Sequence, residues 1–191
     1  MNTFYFIRHA EPDHLWTEDS TRPLSTDGMN DRYLLIEYFR DKKIDSIFSS
    51  PYKRAFETVK PVADYLKLEI FIDERLKERK SGEDSNNRKL FYKRWEDLDF
   101  AEFNGESIRN VQKRNIDFIN EVMEKNNGKN IVVGTHGTAL SSILNYYNKE
   151  FKCDEFLRII NYMPFIVKIE INDNENVRIN EEYFIEKEYL K

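Results

Sequence analysis

The stretch FYFIRHAEP, Phe4 to Pro12, decides the fold. Four apolar residues run directly into Arg8 and His9, and Glu11 follows. The apolar run suits a buried strand, and the abrupt switch to charge at its carboxyl end means that the strand delivers polar groups to an open sheet edge. That edge is where open α/β sheets take their ligands. The pattern recurs in NIVVGTHGTAL, Asn130 to Leu140, where an apolar run stops at Gly134 and Thr135, His136 and Gly137 precede a helical pattern. Two of the three histidines therefore follow buried, parallel-looking strands, and the carboxyl ends of neighbouring strands converge on one crevice. IDSIFSSPYKRAFETV, Ile44 to Val59, repeats the design. Its strand ends at Phe48, Ser50 is the expected helix cap, Pro51 suits the first helical position and Arg54 falls in the first turn.

Outward from these three segments, strand-like runs are expected at 4–7, 44–48, 68–72, 130–134, 165–171 and 177–184. Helical patterns fall at 26–42, 52–66, 87–98, 106–126 and 137–148. The clearest is the fourth, where Ile108, Val111, Asn115, Phe118, Val122 and Met123 recur at three- and four-residue steps. Ser107 is placed to cap it. This alternation predicts an α/β layer architecture. The last two strands, joined by NDNEN, read as a hairpin. The stretch that reads as a loop-rich insertion is ERKSGEDSNNRK, Glu78 to Lys89, which is a candidate part of a cap.

The chain of 191 residues is the length of one domain and can bury a core without disulfides. It carries 14 Phe, 11 Tyr and 2 Trp with 34% charged residues, which fits a soluble globular protein. A net charge of −5, with basic and acidic residues interspersed, argues against nucleic acid as a partner. No apolar stretch reaches the ~18 residues of a membrane span, and the start has no leader pattern, so no membrane partner and a cytoplasmic location are expected. Cys153, the single cysteine, lies in EFKCDEF and is read as structural or incidental.

The chemistry follows from Arg8, His9, Arg54 and His136. Two guanidinium forks match phosphate oxygens, and a histidine beside them can attack phosphorus or donate a hydrogen bond to it. The amides of the helix that starts at Gly137 would add to the anion site. A zinc site is the weaker reading, because two arginines would stand next to the metal and neither further cysteines nor an HExxH spacing supplies ligands. No metal and no cofactor are expected.

The segments RHAE, SSPYKRAFETV, DERLKER, NGES and GTHGTAL resemble, in that order, the motifs of the histidine phosphatase superfamily, the phosphoglycerate mutase-like family. The resemblance implies a three-layer α/β/α sandwich with a mostly parallel central sheet, one domain over 1–191 and a cap or insertion around 78–106. It also implies that His9 is the nucleophile that becomes phosphorylated, and that Arg8, Arg54, Gly137 and His136 surround the phosphoryl group. Glu78 matches the general acid, with Glu11, Glu74 and Glu83 as competitors from the same carboxylate-rich sequence. The expected substrate is a small phosphorylated molecule. The glycine of the family's RHG motif is Ala10 here. Pro12 to Leu15 replace residues among which the family often has a phosphate-contacting asparagine, so His14 or Thr17 is the candidate substitute. After the acid stands KSGEDSNN rather than the Gly-rich or Trp-Glu-Gly stretch common in mutases, so hydrolysis of a phosphomonoester is the expected activity. Mutase-type phosphotransfer and a non-catalytic phosphate- or phosphoprotein-binding module are the alternatives.

Overall fold

Residues of opposite parity in the first strand pack into two different cores, which is what a strand buried on both faces requires. The computed structural model describes residues 1–85, 87–125, 128–172 and 176–188. In it β1 (Asn2–Arg8) sends Phe4 and Phe6 into one core, and Tyr5 and Ile7 into the other. Five more strands complete one sheet: β2 (Ser46–Ser49), β3 (Ile70–Ile72), β4 (Asn130–Thr135), β5 (Tyr162–Ile171) and β6 (Val177–Glu186). The order is β3-β2-β4-β1-β5-β6. The first four positions are parallel, and β5 and β6 are antiparallel additions.

The helices divide between the two faces. On the Tyr5 side pack α1 (Thr26–Asp31), α2 (Leu34–Phe39) and α3 (Lys53–Leu66), which supply Leu35, Phe39, Val59 and Val62. On the Phe4 side lie α4 (Arg88–Glu96), α5 (Ile108–Lys125), α6 (Gly137–Tyr147) and α7 (Cys153–Arg158), contributing Trp95, Phe118, Leu140 and Phe156. The result is the expected α/β/α sandwich with a mostly parallel sheet. Among the described residues no helix is long and apolar enough to cross a membrane.

Local differences from the sequence reading have local causes. The expected helix 26–42 is two helices, because Arg32 and Tyr33 adopt ψ near −24° and −23° and switch the hydrogen bonds to a three-residue step, Tyr33 to Asn30 and Leu35 to Arg32. Ser50 does not cap α3. The cap position is Tyr52, and Ser50 Oγ instead accepts the Tyr52 amide and meets His136. Helix α7 lacked a sequence signal of its own. Its six residues are too few to show a period, and Cys153 sits at its start, buried, with burial pushing the thiol up to about 11. Ser107 does cap α5, accepting the Asn110 amide at 3.2 Å. β5 and β6 form the expected hairpin pair, while residues 173–175 of its NDNEN turn lie outside the described residues.

Phe118 is fully buried, edge-on to Phe48 at 5.3 Å, and joins α5 to β2. Phe118→Ala is expected to lower stability by about 3–5 kcal/mol through the cavity it leaves. Urea unfolding should show a lower midpoint at an unchanged slope; an unchanged midpoint would mean that this contact does not tie helix to sheet.

Candidate active site

The parallel register puts three strand ends at one level. Arg8 pairs with Thr135 and Ser49 with Gly134, so the residues that follow, His9, His136 and Ser50, leave the sheet side by side. Each exit is tied to its neighbour: the His9 amide donates to Thr135 O at 3.1 Å and the Ser50 amide to Gly134 O at 2.9 Å. A Cβ at Gly134 would come within 2.9 Å of Ser49 Oγ and 3.2 Å of Ala55 O, so strand and helix approach this closely only around a glycine. Helix α3 then holds the turn after His9. Thr58 Oγ1 accepts the Ala10 amide at 2.9 Å and donates to Arg54 O at 2.7 Å.

Arg8, His9, Arg54 and Glu78 line one cavity of about 270 Å³. His136 is buried beside it, its ring edge-on to that of His9 at 5.4 Å. Arg8 reaches back to the carbonyls of Ile159 and Tyr162 at 2.8 and 3.3 Å, and its guanidinium lies where a side chain on Gly137 would be, 3.2 Å from the ideal Cβ position. Arg54 is held by Asp19, through the carbonyl at 2.5 Å and the carboxylate at 3.2 Å.

Both histidines are neutral. Burial, reinforced by the charges of Arg54 and Arg8, holds His9 well below its ordinary pKa, and burial followed by Arg54 does the same to His136. Each ring therefore has one proton to place. His9 Nδ1 lies 2.8 Å from Ala10 O, and a carbonyl only accepts, so Nδ1 carries the proton and Nε2 keeps its lone pair. His136 Nε2 lies 2.7 Å from Ser50 Oγ, which already accepts the Tyr52 amide. The Ser50 hydroxyl has its own proton to give, and giving it to Nε2 places the His136 proton on Nδ1. That nitrogen is buried with no partner among the described residues, a donor awaiting an acceptor.

Glu78 is clasped at the start of α6. Its two carboxylate oxygens accept the amides of Thr138 and Ala139 at 3.0 and 3.1 Å, and the Arg79 amide at 2.7 Å. The carboxylate thus occupies helix amides that the sequence suggested for an external anion, and leaves that of Gly137. Its competitors lie elsewhere: Glu11 bonds Ser25, Glu74 is exposed beside Lys77, and Glu83 is exposed. His14, of the two substitutes proposed for the missing asparagine, lines the cavity.

Several lining residues escaped the sequence reading. Asp19 and Arg22, joined at 3.3 Å, come from the 13–24 loop, and Arg79 and Arg94 from the 78–106 segment. Only the adjacency of Arg79 to Glu78 was a usable signal. The rest are set by how loops fold over the sheet edge.

The family described as histidine phosphatase superfamily (branch 1) matches residues 4–181. A putative phosphoserine phosphatase 2 of Hydrogenobacter thermophilus is 33% identical over 87 residues, 44% of this chain and 43% of that protein. A phosphoglycerate mutase-like protein 4 of Arabidopsis thaliana is 33% identical over 117 residues, 54% of this chain and 50% of that protein. The chain thus spans about half the length of these curated relatives. A phosphoserine phosphatase of Entamoeba histolytica, solved with 3-phosphoglyceric acid, superposes with a TM-score of 0.77 at 20% identity, over 100% of both chains, a likeness of fold.

Two outcomes follow from the neutral, tautomer-locked histidines. With only three histidines, long-range ¹H–¹⁵N spectra should show Nδ1-protonated His136, and Ser50→Ala should shift it toward the Nε2 form; an Nε2 proton in the unaltered protein would sink the assignment. The second outcome concerns pH. A folded pKa below the unfolded value means that the unfolded chain binds more protons below about pH 6.5, so stability holds above that pH and falls on acidification. The expected loss is about 1.4 kcal/mol per pH unit for each buried histidine. Urea midpoints between pH 7 and 5 should fall less steeply for His9→Asn; an unchanged steepness would show that His9 is not held neutral.

Proposed function

The chain belongs to the histidine phosphatase superfamily, and on that premise we propose that it hydrolyses a small phosphomonoester through a phosphohistidine on His9. The observation that carries the reading is a neutral His9 with Nδ1 bound to Ala10 O, in one cavity with Arg8, Arg54 and Glu78. Such an imidazole has a free Nε2 lone pair at neutral pH, so it needs no separate base to become a nucleophile.

In the first step Nε2 attacks phosphorus and the ester oxygen leaves with the proton of Glu78. In the second, water attacks the phosphohistidine, returns a proton to Glu78 and releases phosphate, so His9 ends as it began. Arg8 and Arg54 neutralise the phosphoryl oxygens, while the Gly137 amide and His136 Nδ1–H donate to them. The arginines supply positive charge where other phosphatases use metal ions, so the reading includes no metal and no cofactor. For Glu78 to act at the leaving oxygen, its carboxyl must turn from the Thr138 and Ala139 amides toward the substrate.

Residues 1–191 are read as one domain with 78–106 as its cap. Phosphotransfer to a second hydroxyl is distinguished by its product. A cytoplasmic location belongs to the same reading, since a lone buried thiol needs no oxidising compartment.

Rapid quench with substrate should trap an acid-labile, base-stable phosphoryl group that is missing in His9→Ala, whose turnover should fall at least ~10³-fold. Glu78→Gln should slow phosphorylation by an alkyl phosphate by about 10²–10⁴-fold and by p-nitrophenyl phosphate far less, because nitrophenolate leaves without a proton. An acid-stable label, or near-normal turnover by His9→Ala, would refute the phosphohistidine.

A further inference from the structure

Arg114 does not line the cavity, yet every donor it has is used. Its guanidinium carries five N–H groups. Nη1 donates to the carbonyls of Arg75 and Lys77 at 2.5 and 2.7 Å. Nη2 donates to the Glu78 carbonyl at 3.1 Å and to Glu106 Oε2 at 3.0 Å, and Nε donates to Glu106 Oε1 at 2.8 Å. Five acceptors meet five donors, and three of the acceptors belong to the backbone that leads into Glu78. The ion pair is largely withdrawn from water, with Arg114 and Glu106 at 15% and 19% exposure. Burial raises the Glu106 carboxyl, and the hydrogen bonds and charge of Arg114 lead the opposing contributions that leave it below its ordinary pKa.

The segment that Arg114 gathers has little regular structure of its own. A single 3₁₀ turn, Glu74–Leu76, gives way at Lys77 to extended backbone with ψ 159°, so the chain beyond it has no helix ladder to receive its carbonyls. Leu76, fully buried, pins the turn to the core, and Arg75 pairs with Glu121 of α5 at 2.6 Å. Glu78 itself is held twice. The amides of Thr138, Ala139 and Arg79 hold its carboxylate, and Arg114 holds its carbonyl. Proton transfer at a leaving oxygen requires the carboxyl to turn away from those amides. The carbonyl bond to Arg114 is then the anchor that Glu78 retains.

We infer that Arg114 is the positioning residue of the general acid: it fixes the Arg75, Lys77 and Glu78 peptides, so that the Glu78 carboxyl swings between the α6 amides and the leaving oxygen from a stationary backbone. The inference rests on the phosphomonoesterase reading, which gives Glu78 its role. A displacement of about 1 Å at a reacting group costs on the order of 10²-fold in rate, so a main chain that drifted as the amides let go would forfeit most of what an acid supplies. With its five donors occupied, Arg114 has none to offer a ligand, and its action on the reaction runs through Glu78 alone. A lysine in its place would keep the charge beside Glu106. Its single nitrogen, with three donors, cannot span three carbonyls and a carboxylate.

The test reads phosphorylation of His9 in single turnovers with p-nitrophenyl phosphate and phenyl phosphate, two esters of similar shape of which the second depends far more on a proton at its leaving oxygen. Arg114→Lys should slow the phenyl ester by about 10–10²-fold and the nitrophenyl ester far less, widening the ratio of the two rates as Glu78→Gln does. Combining Arg114→Lys with Glu78→Gln should widen the ratio no further than Glu78→Gln alone, since a residue with no proton to give loses nothing more by being misplaced. Inhibition by inorganic phosphate should keep its strength within about twofold, because Arg114 touches none of the groups at phosphorus. Should Arg114→Lys fail to fold, Arg114→Gln joined with Glu106→Gln removes both charges together, leaves no ion buried alone and is read in the same way. A ratio that these variants leave unmoved, or one that widens again when Arg114→Lys is added to Glu78→Gln, overturns the inference while the phosphohistidine stands. A protein that neither ester phosphorylates on His9 removes the phosphatase reading, and the inference with it.

Discussion

The parallel pairing of β1 with β4 and of β4 with β2 is the constraint on which the site depends. Because Arg8 stands opposite Thr135 and Ser49 opposite Gly134, His9, His136 and Ser50 emerge within hydrogen-bond reach of one another's strands. A slip of one residue would turn Phe4 and Phe6 from one core to the other and carry His9 to the wrong face of the sheet. Core packing and site geometry are therefore specified by the same register. The close passage at Gly134, where α3 and Ser49 leave no room for a Cβ, secures it from the side.

On that frame the electrostatics oppose the usual preference of histidine near neutral pH. Burial and two arginines suppress protonation of both rings, which costs stability in acid but preserves a lone pair on His9 and fixes a donor on His136. The arginines are anchored by carbonyls of Ile159, Tyr162 and Asp19 rather than left to find their positions when a ligand arrives. The site is thus organised before substrate binds, which is the condition under which fixed charges lower a barrier most.

The 78–106 segment is fastened to this frame through Glu78, Arg79 and Glu106. Glu78 is fastened to the first turn of α6, and the next residue, Arg79, is fastened to Glu102 and to the Glu106 carbonyl. Arg114 of α5 reinforces the join, with its guanidinium on the carbonyls of Arg75, Lys77 and Glu78 and on the Glu106 carboxylate. The Glu78 carboxylate and the Arg79–Glu102 pair are therefore held by one connected set of hydrogen bonds.

The layered fold was legible in the sequence because its central strands are buried on both faces and read as short apolar runs, FYFI and IVVG above all, each giving way abruptly to charged or polar residues. The same abruptness marked Arg8, His9 and His136, and Arg54 does fall in the first turn of α3, although Pro51 lies before the Tyr52 cap rather than at the first helical position expected of it. What the tertiary structure decided is what depends on distant partners. The role of Ser50 turned from cap to histidine partner because His136, 86 residues away, lies 2.7 Å from its hydroxyl. Glu78 separated from Glu11, Glu74 and Glu83 because it alone of the four lines the cavity with His9, a relation of space that local sequence does not encode. Arg79, Arg94 and Glu102 look in sequence like ordinary surface charges, since nothing within a few residues of any of them signals burial. Only the closing of a loop-rich segment over the sheet edge removes them from water.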